Sequence, residues 1–183
     1  MKRLIILIAI LPFAFISNAQ DFEVGTSASI ISAKGFRSIG PGIQINYRDW
    51  GTLKWRISSE LSFNMSQTKK DIYCEESFVE QIKESKNFWM LGFSAQPIIP
   101  IYKNFSCTPS IGVKFPFSFG ENFLLEYGGG FEYTFKKEKK VWYQKRPRKI
   151  EDKKISINIS KIKGSEILKD SWQLKITLKK VFN

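Results

Sequence analysis

Charged residues of both signs occur at alternate positions in stretches whose intervening residues are mostly apolar: Arg48, Lys54, Arg56, Glu60, Lys114, Glu126, Glu132, Lys175 and Lys179. Gathered into one interior, such a set forms either a polar conduit or binding site, or a salt-bridged filling, because buried charges must be paired or hydrated. Catalysis that needs a histidine is excluded, since the chain has none. That removes the imidazole general base and the Ser-His arrangements. No Ser-Lys pair or carboxylate pair stands out in their place. Gly128-Gly129-Gly130 lies inside an alternating stretch, where small residues relieve crowding or mark a bend, and not in a phosphate-cradling loop. Cys74 and Cys107, with no histidine, make no metal site. They could pair in an oxidising compartment, but the strand assignment below puts them near opposite ends of the structure, against the short reach of a disulfide. The expectation is a protein that is not an enzyme and carries no metal or cofactor.

The elements that would position these charges are strands. From Leu53 to Met65 the odd positions are Leu53, Trp55, Ile57, Ser59, Leu61, Phe63 and Met65, and the even ones are Lys54, Arg56, Ser58, Glu60, Ser62 and Asn64. A strand sends successive side chains to opposite faces, so this segment has one apolar face and one wet face. Its length also matters, because a strand tilted across a bilayer needs about 9 to 11 residues, against about 5 or 6 in an ordinary soluble sheet.

The pattern recurs along the chain. Phe22 to Ser32 alternates weakly and ends at the turn signal Lys34-Gly35, and Ile39 to Arg48 sets Ile43, Ile45 and Tyr47 against Gln44, Asn46 and Arg48. From Gln67 to Lys86 the chain is polar and mixed in charge and reads as the longest loop before the middle, with room for a short helix around Phe78 to Ile82. Strand signals return at Phe88 to Tyr102, at Phe105 to Phe119 after the turn Lys103-Asn104, and at Phe123 to Phe135. Lys136 to Lys154 reads as a basic connector, followed by a strand from Ile155 and a last one carrying Trp172, Leu174, Ile176, Leu178 and Phe182 on one face. The count is eight strands.

The ends and the balance of charge bound the setting. Lys2 and Arg3, the apolar run Leu4 to Ile16 and the small residues Ser17-Asn18-Ala19 read as a signal peptide over residues 1–19, leaving residues 20–183 as one domain. No later run reaches the roughly 18 apolar residues of a membrane-spanning helix. The formal net charge of +12 would suggest nucleic acid in a cytoplasmic protein, but in an exported one it matches lipopolysaccharide phosphates, anionic lipid headgroups or an acidic partner.

Long strands with Phe, Trp and Tyr on one side and Gly, Ser and charge on the other suit an inside-out barrel, in which closure pairs the backbone groups that lipid cannot satisfy. The expected fold is therefore all-β, an eight-stranded antiparallel up-and-down transmembrane β-barrel. With its signal peptide, eight alternating strands, an aromatic near the C-terminus and the Gly-rich run Leu125 to Tyr133, the chain resembles the small outer-membrane β-barrel proteins of Gram-negative bacteria. In particular, it is similar to the porin-like outer membrane protein β-barrel domain family common in Bacteroidetes. The resemblance implies an outer-membrane location, contact with membrane lipid and lipopolysaccharide, and delivery by the barrel assembly machinery, which would read Trp172 and Phe182 in the final strand. Eight strands leave an interior that side chains fill, so the expected role is structural or through the loops. Two other readings stand beside it: a soluble periplasmic lipocalin-like barrel that binds a hydrophobic ligand, and a small component of a secretion machine.

Overall fold

The computed structural model of the chain describes residues 21–48, 54–73, 79–117, 123–139, 148–164 and 170–182. The expected signal peptide and Cys74 lie outside them. The described residues form β1 (Asp21–Ala33), β2 (Phe36–Arg48), β3 (Trp55–Tyr73), β4 (Val79–Pro97), β5 (Ile99–Tyr102), β6 (Phe105–Cys107), β7 (Ser110–Pro116), β8 (Leu124–Lys139), β9 (Arg148–Lys163) and β10 (Ser171–Phe182). Each strand pairs antiparallel with its neighbours, from β7 through β4, β3, β2, β1, β10 and β9 to β8, and β8 returns to β7. That ring is an eight-stranded up-and-down barrel. β1 and β10 lie side by side from Phe22↔Phe182 to Ser32↔Trp172, so the first and last strands of the barrel run along each other.

β5 and β6 continue the staves of β4 and β7 beyond two interruptions. One is at Ile98, whose amide donates to the Lys54 carbonyl at 2.7 Å; the other is at Thr108-Pro109, where Thr108 exchanges backbone bonds with Gly130 at 2.9 and 3.2 Å. Proline has no amide to give a ladder, which fits the strand breaks beside Pro97 and Pro109. The single strand read over Phe105 to Phe119 is thus two, β6 and β7.

Two stretches read as loops are largely strand. Gln67 to Lys86 continues β3 and β4 as a paired ribbon, in register from Thr68↔Glu84 to Tyr73↔Val79, and residues 79–82 of the expected helix lie in β4. The connector expected over Lys136 to Lys154 is likewise shortened at both ends, with Lys136↔Glu151 and Lys139↔Arg148 paired in β8 and β9. Both stretches carry polar and charged residues at odd and even positions alike. Backbone pairing does not require an alternating sequence, so the hydropathic period carries no signal there.

The faces follow the alternation. Along β10 each odd residue from Ser171 to Val181 is buried and each even one from Trp172 to Phe182 is exposed. In β3, Trp55, Ile57, Leu61 and Met65 point out, and Arg56, Ser58, Glu60, Ser62 and Asn64 point in. The β8–β9 seam depends on glycine, since a Cβ on Gly128 or Gly130 would stand 2.2 Å from the Ile159 carbonyl oxygen or 2.1 Å from that of Ile157. Overpacking of this kind costs about 1–3 kcal/mol. We expect the folded protein to migrate differently on detergent gels before and after boiling, and Gly130→Val to lower the temperature at which one form converts to the other. Equal conversion temperatures would show that the seam has slack.

Candidate functional site

The interior is built from the inward rows of the eight strands. It contains two charge clusters. In the first, towards the chain termini, the Arg56 guanidinium is fully buried and donates through Nη2 to Glu132 Oε1 at 2.8 Å, while its Nε lies 3.1 Å from Glu23 Oε2. Lys154 Nζ donates to Glu23 Oε1 at 2.7 Å and also lies 3.0 Å from Glu151, and Lys179 Nζ donates to Glu132 Oε2 at 2.7 Å. Asn46 Nδ2 donates to Glu23 at 3.1 Å, and Ser58 Oγ donates to Asn46 Oδ1 at 2.6 Å. The six charged residues come from β3, β1, β8, β9 and β10, with Lys154 and Glu151 both on β9.

The second cluster lies further along the axis. Lys175 Nζ donates to Glu60 Oε2 at 2.8 Å, and Ser27 Oγ donates to Glu60 Oε1 at 2.7 Å. Lys114 Nζ lies 3.2 Å from Glu126 Oε1 and donates to Gln173 Oε1, and Ser160 Oγ donates to Glu126 Oε1 at 2.6 Å. Every lumen carboxylate described thus meets at least one cation. Beyond the second cluster, towards the far end, Ile31, Phe36, Phe88, Met90, Leu124 and Ile162 form one buried apolar cluster, beside the buried polar side chains of Ser38, Asn64, Ser66 and Ser171.

Of the residues expected in a shared interior, the structure places Arg56, Glu60, Lys114, Glu126, Glu132, Lys175 and Lys179 there. Lys54 is not among them. It is exposed, one residue before β3 begins, because the alternation that aims Arg56 inward ends with the strand. The backbone of Arg48 pairs with Asp21 and Arg56, but its side chain lies outside the described residues. Trp172 and Phe182 both face outward, Phe182 stacked on Phe22 with ring centroids 4.8 Å apart.

Three features were missed. Glu23 stood between Phe22 and Val24, so its inward aim was legible from the first strand's alternation. Lys154 precedes Ser156, Asn158 and Ser160 on their face, and starting that strand at Ile155 hid it. The apolar inner cluster runs against the expectation of an opposite face that is small, polar or charged throughout. Leu124 and Ile162 are apolar residues on inward rows, which pack with Ile31, Phe36, Phe88 and Met90.

The lipocalin-like reading requires the apolar faces to line a cavity. Here they face outward, with Ile43, Leu61, Ile111, Phe131, Ile159 and Leu178 all exposed, and most residues of the interior rows are charged or polar. The facing overturns that reading.

No family model matches the chain, and no curated protein matches it. Among solved structures it is similar to the outer membrane protein Ail of Yersinia pestis in a phospholipid bilayer nanodisc, at 14% identity and a TM-score of 0.44, covering 87% of this chain and 99% of that one. A crystal structure of Ail, the attachment invasion locus protein, matches at 15% identity and a TM-score of 0.41, over 88% and 97% of the two chains. Neisserial surface protein A matches at 10% identity and a TM-score of 0.44, over 88% and 94%.

Removing Glu132 leaves Arg56, Lys154 and Lys179 sharing Glu23, and breaking a buried pair in this way costs about 3–5 kcal/mol. Glu132→Gln is expected to lower the unfolding free energy by that order, and Lys179→Met in the same chain to recover part of it. Denaturant titration of the single and double variants checks this. Strictly additive losses would mean that the groups are hydrated independently.

Proposed function

We propose that the protein is an integral outer-membrane barrel without enzymatic activity, its lumen filled by its own side chains, acting as a structural or interaction component through its loops. The observation that carries the reading is the inverted facing of a closed sheet. Most outward aromatics fall in two groups, with Phe22, Trp55, Tyr102, Phe105, Phe135 and Phe182 towards the termini and Trp89, Phe117, Phe123, Tyr127 and Trp172 towards the other end, while Phe131 lies between them. Aliphatic residues such as Ile43, Leu61, Ile157, Ile159 and Ile176 lie between them. That sequence of bands, with Lys153 and Lys180 at the level of one group and Lys161 and Lys163 at the level of the other, suits an acyl core flanked by aromatic girdles and headgroups.

Export by the signal peptide, with the termini on the periplasmic side, completes the proposal. A filled lumen is supported by the paired charges and the apolar inner cluster, and it implies no stable open conductance in planar bilayers. Absence of enzymatic activity is supported by the lack of histidine and by the engagement of the lumen carboxylates with cations. The partners proposed are membrane lipid and lipopolysaccharide, together with the barrel assembly machinery.

Two measurements test this. Leu61→Arg should cost about 2–4 kcal/mol in lipid vesicles if Leu61 faces hydrocarbon near the midplane, while Ser62→Ala, on the interior face, should be far milder. Equal losses, or recovery of the protein in a soluble fraction without detergent, would overturn the membrane reading. Deleting Phe182 and Asn183 should sharply lower the amount assembled in cells yet leave refolding of purified protein in detergent nearly intact. Normal assembly of the truncated protein would reduce Phe182 to a girdle residue stacked on Phe22, and failure of both assays would make the final strand a stability element.

A further inference from the structure

We infer that the groove between the β5–β6 turn and β8 binds the phosphate of an anionic phospholipid headgroup; this rests on the membrane reading above and names the lipid chemistry at one place on the wall. The groove has a volume of about 590 Å³ and is lined by Lys103, Asn104, Tyr133, Phe135, Lys136 and Glu138. A smaller cleft of about 110 Å³ shares Lys103, Asn104 and Lys136 with it and leads towards Lys154 at the mouth of the lumen.

The local backbone is arranged to present these two lysines. Lys103 occupies the turn with φ of 42°, a left-handed conformation that glycine adopts at less cost, and it is one of two non-glycine residues with positive φ among those described. A β-bulge falls between Phe135 and Lys136, and bulges re-aim side chains. Lys136 thereby lines both clefts instead of pointing into the inner clusters. Two lysines and a single carboxylate, Glu138, line the outer groove, so the groove carries excess positive charge; the Lys103 Nζ itself lies 5.0 Å from the centroid of the Tyr102 ring. Lysine binds phosphate as a point charge without a fixed geometry, which suits a mobile headgroup.

On the membrane side of the lysines lies an aromatic shelf. The Phe105 and Tyr133 rings lie with centroids 4.8 Å apart, and the Tyr133 and Phe135 rings 4.8 Å apart, edge to face. Cation above and aromatic below is the order in which a phospholipid presents phosphate and acyl chain. A free phosphate ion would use the lysines alone; a lipid uses both.

The test uses the full folded barrel. Insertion into phosphatidylcholine vesicles is scored first, and then binding of phosphatidylglycerol and phosphatidylcholine in neutral detergent micelles is titrated by native mass spectrometry. Phosphatidylglycerol should bind about tenfold more tightly, given the contribution of each basic residue near an anionic headgroup. Lys103→Gln with Lys136→Gln should abolish the preference, while Lys161→Gln with Lys163→Gln, at the other end of the barrel, should preserve it. Persistence of bound lipid in millimolar inorganic phosphate is expected, and displacement by phosphate would assign the groove to the free anion and overturn the lipid site. Insertion with equal affinities for the two lipids, or loss of the preference in the distant pair alone, overturns this inference only. Failure to insert overturns the membrane reading and this inference with it.

Discussion

A guanidinium without solvent must find its counter-charges in the protein, and Arg56 is completely buried. Its carboxylates come from Glu23 on β1 and Glu132 on β8, and these in turn are shared with Lys154 on β9 and Lys179 on β10. No two adjacent strands can assemble that set. Only the closed ring brings β8, β9 and β10 round to face β3, so closure of the backbone ladder and satisfaction of the interior charges depend on each other. An opened seam would strand a cation in the lumen as well as breaking hydrogen bonds.

The same closure governs the wall. Once the strands curve into a ring, every inward row converges on a narrow axis and every outward row spreads apart. Lysines and glutamates on neighbouring rows then reach across the axis, and side chains too small to reach, such as Ser27, Ser58 and Ser160, donate to the carboxylates and amides between them. Gly128 and Gly130 sit where an added Cβ would crowd the carbonyl oxygens of Ile159 and Ile157 on β9. The apolar cluster around Phe88 and Met90 replaces charge pairing with packing at one end. Charge and hydrocarbon thus divide the interior by height along the axis.

Outside the barrel band, pairing without an apolar face takes over. The β3–β4 ribbon beyond Thr68 and the β8–β9 ribbon beyond Lys136 keep their ladders although their sequences lack apolar alternation. These extensions, with the broken staves at Ile98 and Thr108-Pro109, make the two ends of the molecule irregular while its middle remains regular. Binding surfaces belong to such irregular ends, where backbone geometry can aim individual side chains.

The alternation of residue types alone determined the fold class, the number of staves and which face of each carries Trp55, Leu61 or Ile176, because the period of a strand is two whatever its neighbours are. It also aimed Arg56, Glu60, Glu126, Glu132 and Lys175 to the polar side. Strand ends escaped it, since a polar ribbon such as 67–86 leaves no hydropathic trace, and a parity argument fails one residue beyond a strand; Lys54 was drawn in and Lys154 left out for that reason. Which carboxylate meets which cation was decided only by the tertiary structure. Glu23 and Lys154 are 131 positions apart in sequence and 2.7 Å apart in space, and that proximity arises from stagger and curvature of the ring, quantities that no single strand encodes.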